Sequence, residues 1–428
     1  MPIKTTPADG LMHFLKTSPS PFHAVGSLKA ILGEAGFTEI KEGDAWKLTA
    51  GSKHYVTRGD SSLIAFRLGD SLAEKGFRFV GAHTDSPCLK LKPNAEMEER
   101  HSLRLAVEVY GSPLLATWFD RDLSLAGRVF YSDGKATRST LIDFEKPIAV
   151  VPNLAIHLNR SANENRSIQK QTEMVPLIAL EAGAEDMQEA LLAQVRKHDP
   201  RAQSIVSHEL VFYDTQAPSL TGLHQEFITS ARIDNLLSCY AGAQALAQSQ
   251  GKATAVLVCS DHEEVGSASA VGAQGTFLKS VVERLAGGNA ETLARALDHS
   301  VLVSTDNAHG VHPSYPEKHD PQHRPLLNQG PAIKTNWNQR YATSAETAAI
   351  VKECFQKAGV PFQEFVSRND MPCGSTIGPI TATVLGVKTV DVGVPTFAMH
   401  SLRELAGSQD FHSLEKMLVE FFAHPGWH

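Results

Sequence analysis

Carboxylates and histidines gather at the ends of apolar runs in this chain. "FRFVGA" leads into His83-Thr84-Asp85, and "ATAVLVCS" into Asp261-His262-Glu263-Glu264. "SVLVST" leads into Asp306-Asn307-Ala308-His309, and "VKTVDVGVPTFAM" into His400. A further cluster, "ARIDNL", places Asp234 near the start of a long helical pattern. Two histidines, one bridging carboxylate and two further carboxylates can hold two divalent ions. Such a pair of ions clamps the attacking and leaving oxygens of a hydrolysis. Imidazole with carboxylate suits zinc best, and manganese or cobalt could also bind. The helical zinc motif H-E-x-x-H is excluded, because position 266 after His262 is Gly266.

Short continuous apolar runs suit strands buried on both faces, as in a parallel α/β sheet. In open α/β sheets, ligands bind outside the carboxyl ends of the strands, so these polar tips could meet in one cleft. The start of the chain reads as helices, in "DGLMHFLKT" and "SPSPFHAVGSLKAILGEAGF", followed by strands in "KHYVTRG" and "SSLIAFRLG". From about Glu96 to Gly222 the texture changes to short strands: "LRLAVEVYG", "SLAGRVFYS", "ATRSTLIDF", "PIAVVP" and "SHELVFYDT", with one helix in "EDMQEALLAQVRKH". The expected fold is α/β: a mixed, mainly parallel sheet flanked by helices, formed by residues 1–95 and 223–428. A β-rich insertion spans residues 96–222.

The chain has 428 residues, 42% hydrophobic and 20% charged, which is the make-up of a globular protein with a sizeable core. A net charge of −7 argues against nucleic acid as the main partner. No apolar run approaches the roughly 20 residues of a membrane span. The first residues lack the apolar core and cleavage site of a signal peptide, so a cytoplasmic location is expected. Five cysteines without C-x-x-C spacing read as reduced, mostly buried thiols.

Six segments, in order, resemble the signatures of the aspartyl aminopeptidases, a family of dinuclear zinc exopeptidases. They are "GAHTDSPCLKLKP", "SARIDNL", "SDHEEVGS", "VSTDNAHGVHPSYPEKH", "RNDMPCGSTIGP" and "FAMHSLRE". The resemblance runs from "TSPSPFHAV" to "AMHSLREL". It implies the di-zinc exopeptidase fold, with the inserted domain serving dimerisation. It also implies that Asp234 bridges two metals, that His83 and Asp306 complete one, and that Glu264 and His400 complete the other. Glu263 would be the general base acting on a bridging water, and Asp85 would hydrogen-bond the far ring nitrogen of His83. His309, Lys334 and Tyr341 match substrate-binding positions, with Lys334 the natural partner of an acidic side chain. His157 would reach a neighbouring subunit's active site. The implied activity is release of N-terminal Asp or Glu from peptides, by a homododecamer built from dimers with tetrahedral symmetry. Two other readings use the same residues differently: a di-metal deacetylase or amidase acting on small N-acyl compounds, and a non-catalytic shell protein.

Overall fold

In the computed structural model, which describes residues 7–180 and 186–425, the continuous apolar runs become the middle of a nine-stranded sheet. Thr254–Ser260, Phe77–His83, Val301–Thr305 and Lys388–Gly393 lie side by side and parallel. Side chains alternate between the two faces of a strand. Phe77, Phe79, Val256 and Val258 therefore enter one core layer, with the helices Phe277–Leu285 and Ala290–Asp298. Val80, Ala82, Leu257 and Cys259 enter the opposite layer, with Pro21–Glu34, Ile233–Gln248, Ala345–Ala358 and Asp410–Ala423. Burial on both faces is why these segments carry no polar alternation.

Antiparallel strands flank the parallel centre. Ser62–Arg67 pairs with Thr254–Ser260 on one side, and Ala332–Thr335 pairs with Lys388–Gly393 on the other. The sheet is thus mixed and mainly parallel, as expected. A smaller five-stranded sheet orders Ser219–Thr221, Phe227–Ser230, Glu404–Gly407, Pro395–Phe397 and Ala308–His309.

Two close approaches need glycine. A Cβ on Gly242 in the helix Ile233–Gln248 would sit 2.6 Å from Leu257 Cδ1, so the helix lies tight on the sheet. A Cβ on Gly393 would sit 1.9 Å from the Asp306 carbonyl oxygen. That glycine lets the neighbouring chain run on close beside it, through Asp306 to Ala308.

The chain divides into two compact units. The first comprises the residues up to Asp85, Pro218–Met399 and those from Glu404 onward. The second comprises Ser86–Ala217 with His400–Arg403. The first unit ends at Asp85, before the boundary expected at residue 95, because Cys88–Glu99 pairs with Ser102–Tyr110 and Ser204–Asp214 of the second.

The second unit is a six-stranded antiparallel sheet around Leu89, Leu105, Trp118, Leu125 and Phe212, covered by the helix Met187–Arg196. The segment "PIAVVP", read as a strand, forms isolated bridges instead: Ala149 to Leu123, Val150 to Leu177 and Val151 to Phe119. Its apolar residues pack in the core, but each bridge goes to a different partner, so no ladder propagates.

Candidate metal centre

Three of the predicted strand tips converge. His83 is the last residue of Phe77–His83, Asp306 follows Val301–Thr305, and the two glutamates follow Thr254–Ser260. Asp234 comes from the first turn of Ile233–Gln248, where Asp234 and Asn235 leave helical geometry and the peptide between them is cis. The Asn235 side-chain amide donates to the Thr305 carbonyl at 2.8 Å, tying that turn to the neighbouring tip. The Asp234 amide donates to Glu404 Oε2 at 2.9 Å.

His83 is the hub. Its Nε2 lies 3.4 Å from Asp234 Oδ1, 3.7 Å from Asp306 Oδ1 and 3.9 Å from Glu263 Oε2. Its Nδ1 lies 3.0 Å from the Asp85 carbonyl and 3.3 Å from Asp85 Oδ1. A carbonyl only accepts, so Nδ1 carries a proton, which leaves Nε2, facing the carboxylates, as the ring nitrogen available to a metal once its own proton is lost. Main chain and side chain of Asp85 thus both face Nδ1.

Asp85 also organises the glutamates. Its two oxygens accept the amides of Glu263 and Glu264, each at 3.1 Å. The pair sits in a short 3-10 turn, Glu263–Val265, bracketed by left-handed backbone at His262 (φ 63°) and Gly266 (φ 95°). Left-handed residues on both sides reverse the chain tightly, and glycine meets that need without strain. His262 is held in turn by Ser269, whose hydroxyl lies 2.8 Å from its Nδ1. Both glutamates bring an oxygen within 4.8 Å of a His83 ring nitrogen.

The electrostatics follow from crowding. Burial works against a charged His83, but Asp234, Asp306, Asp85 and Glu263 outweigh it and hold its pKa well above the ordinary value. Burial pushes the Glu263 carboxyl up to about 8; His83 pulls against this, and Asp306, Asp234 and Asp85 add to it. Glu264 is raised well above the carboxylate range, first by burial and then by Asp234. Such a site gains from a cation that replaces its protons.

The donor set fits zinc. Tetrahedral ligands about 2 Å from the ion lie roughly 3.3 Å from one another. His83 Nε2, Asp234 and Asp306 are buried and close to that spacing, with ligand atoms within 4.8 Å of each other.

Of the other expected residues, Lys334, Tyr341 and His309 adjoin this cluster in the first unit, and His157 and His400 belong to the second. Lys334 is 1% exposed and donates to the carbonyls of Asp306 and Asn307, both at 3.2 Å. Its ammonium lies 4.9 Å over the ring of the buried Tyr341. His309 stands three residues past Asp306, its pKa lowered first by burial and then by Lys334. Beside it opens a cavity of about 320 Å³, lined among others by His312, Lys318, Phe365, Arg368 and Phe397. His157 lies in an exposed loop of the second unit. His400 also falls in the second unit, with a left-handed backbone (φ 67°) and Nδ1 3.1 Å from the Ser112 carbonyl. Sequence reasoning missed Glu404, Asn235 and Asp391. The signal for Asp391 was present, as a lone acid inside the apolar run "VKTVDVG".

Comparison with known proteins agrees with this geometry. Residues 14–422 match the aminopeptidase I zinc metalloproteases, M18. A probable M18 family aminopeptidase 2 of Pseudomonas aeruginosa is 56% identical over 418 residues, 97% of each chain. Among solved structures, a chain in the complex of Ape4 and Nbr1 superposes with a TM-score of 0.94 at 38% identity, over 97% of this chain and 85% of that one. The mApe1 dodecamer of S. cerevisiae gives a TM-score of 0.85 at 27% identity, over 98% and 96%. A buried zinc-type donor set on a shared fold, with a family match along nearly the whole length, identifies this chain as a member of the M18 family of zinc metalloaminopeptidases.

Proposed function

We propose that this aminopeptidase removes acidic residues from the N-termini of peptides, at a centre of two divalent ions, with Glu263 as the general base. The observation that carries the reading is the buried His83–Asp234–Asp306 cluster with Glu263 3.9 Å from the same ring nitrogen. Asp234 would bridge, His83 and Asp306 would complete one site, and Glu264 and His400 the other. Zinc held there supplies Lewis-acid polarisation of the scissile carbonyl and a water acidic enough to be deprotonated near neutrality. Glu263 takes the proton from the attacking water and returns it to the leaving amine. Asp85 keeps the His83 lone pair aimed and pins the amides of both glutamates, so the base and its metal-binding neighbour hold separate positions.

Acid selectivity is supported by Lys334, a buried ammonium beside the cluster, with His309 and Tyr341 next to it. With zinc present, Asp- and Glu-peptides should be cleaved well ahead of a Leu-peptide, and a chelator should stop all cleavage. N-acetylated peptides should be inert. Cleavage that survives chelation, or turnover of blocked substrates alone, would refute the reading.

Separate jobs for the two glutamates predict different failures. Glu263→Gln should keep the wild-type zinc content and lose about a thousandfold or more in kcat. Glu264→Ala should lose zinc, measured by elemental analysis after dialysis. The reverse pattern would exchange the two roles.

Raised pKa values in the zinc-free site set the sign of a pH effect. A ligand must shed its proton to bind metal, so groups titrating above their ordinary range make affinity rise with pH. Zinc added to chelator-treated protein at roughly pH 7 should release more protons than at roughly pH 9.5, because Glu263 at about 8 has already lost its proton there. Calorimetry in two buffers of different ionisation heat counts those protons. Equal release at both pH values would contradict the scheme.

The mApe1 relative is a dodecamer, which supports self-association of this chain through its β-rich unit. His157 would then serve a neighbouring subunit. Sedimentation should give a mass near twelve chains, and His157→Ala should lower activity without changing that mass. A monomeric, fully active protein would end this part of the reading.

A further inference from the structure

Asp391 stands directly opposite Lys334 on the adjacent antiparallel strand. Residues so paired project to the same side of a sheet. Both are buried, Asp391 at 0% exposure and Lys334 at 1%. Opposite charges withdrawn from water are tolerated when they balance each other and their remaining hydrogen-bonding atoms are satisfied. Both conditions hold. Asp391 Oδ1 accepts the Thr376 hydroxyl at 2.6 Å, and Oδ2 accepts the Ala342 amide at 2.6 Å. The Asp391 amide donates to the Thr343 hydroxyl at 2.9 Å. Thr376 also caps the helix Ile377–Leu385 by accepting the Gly378 amide at 3.2 Å. A Cβ on Gly378 would sit 2.5 Å from Asp391 Oδ1, so the carboxylate is closely seated.

Three substrate-side elements are thereby tied to one carboxylate. Lys334 faces it across the sheet, and Lys334 in turn grips the carbonyls of Asp306 and Asn307. Tyr341 adjoins Ala342, and its ring lies under the Lys334 ammonium. Thr376 ends the "RNDMPCGST" segment, which contributes Arg368, Met371 and Pro372 to the cavity beside His309. Burial raises the Asp391 pKa, and Lys334 is the strongest influence opposing that rise.

We infer that Asp391 is a positioning residue for substrate selection, whose buried charge holds Lys334 and Tyr341 where they meet the first side chain of the peptide. The inference rests on the proposed role of Lys334 as partner of an acidic side chain. Asp391→Asn is the near-isosteric probe. An asparagine oxygen still accepts from Ala342, and its amide can donate to the Thr376 oxygen, so the shape stays and the charge goes. Lys334 then lacks its counter-charge and keeps only the Asp306 and Asn307 carbonyls to hold it.

Steady-state kinetics of the zinc-loaded enzyme on acidic-first and neutral-first peptides test this. Asp391→Asn should raise KM for the acidic peptide about tenfold, leave its kcat within about twofold, and spare the neutral peptide. Lys334→Met should lower the acidic-to-neutral ratio of kcat/KM similarly, and the double variant should be no worse than Lys334→Met alone, because nothing remains to be positioned. Effects that add in the double variant overturn the inference, since a purely structural role adds. So does a wild-type ratio in Asp391→Asn when Lys334→Met has lost it. An unchanged ratio in Lys334→Met refutes the role of Lys334 itself, and the inference with it. If Asp391→Asn does not fold, Thr376→Val decides: freeing one carboxylate oxygen should raise the acidic-peptide KM about threefold, and no shift overturns the inference.

Discussion

The carboxylates of Asp85, Asp234, Glu263, Glu264 and Asp306 crowd around the His83 imidazole, and burial removes the water that would screen them. Left alone, such a cluster costs stability and takes up protons to relieve itself. The surrounding structure exists to keep it together. Asp85 spends both oxygens on the amides of the glutamate turn, Glu404 takes the Asp234 amide, and Asn235 and Lys334 brace the tip that carries Asp306. These contacts are main-chain to side-chain. They fix where each side chain of the cluster begins and leave its carboxylate or ring nitrogen aimed inward.

The sheet makes such bracing affordable. Parallel strands buried on both faces cannot drift in register, since a slip by one residue would exchange the two core layers. Phe77 and Phe79 commit one face of their strand, and Val80 and Ala82 the other. The tips of that strand and its neighbours are therefore set by the packing of aliphatic and aromatic side chains well away from the polar cluster.

Much of this was legible in the sequence. Continuous apolar runs ending in His, Asp or Glu gave both the central strands and the candidate ligands, because a strand buried on both sides announces itself without any partner in view. The mixed, mainly parallel sheet followed from the same runs. What stayed hidden depended on tertiary pairing. "PIAVVP" has the composition of a strand, yet three separate partners share it. Asp391 reads as an anomaly in a hydrophobic run until Lys334 is seen opposite, and Glu404 has no local pattern that links it to Asp234. The bond between Asp85 and the two glutamate amides joins residues far apart in the chain, so no spacing rule could report it.

Gly393 carries one more implication. The Asp306 carbonyl rests where any side chain at position 393 would stand, and the Asp306 amide donates to Val392 at 3.1 Å. The backbone of Asp306 is thus held at both polar atoms, its amide by Val392 of the next strand and its carbonyl by Lys334 of the strand beyond. A longer acid at position 306 could not retreat to make room, and its carboxylate would overshoot toward His83. The place of the Asp306 carboxylate beside His83 is therefore set by the spacing of two backbones rather than by the reach of a flexible side chain.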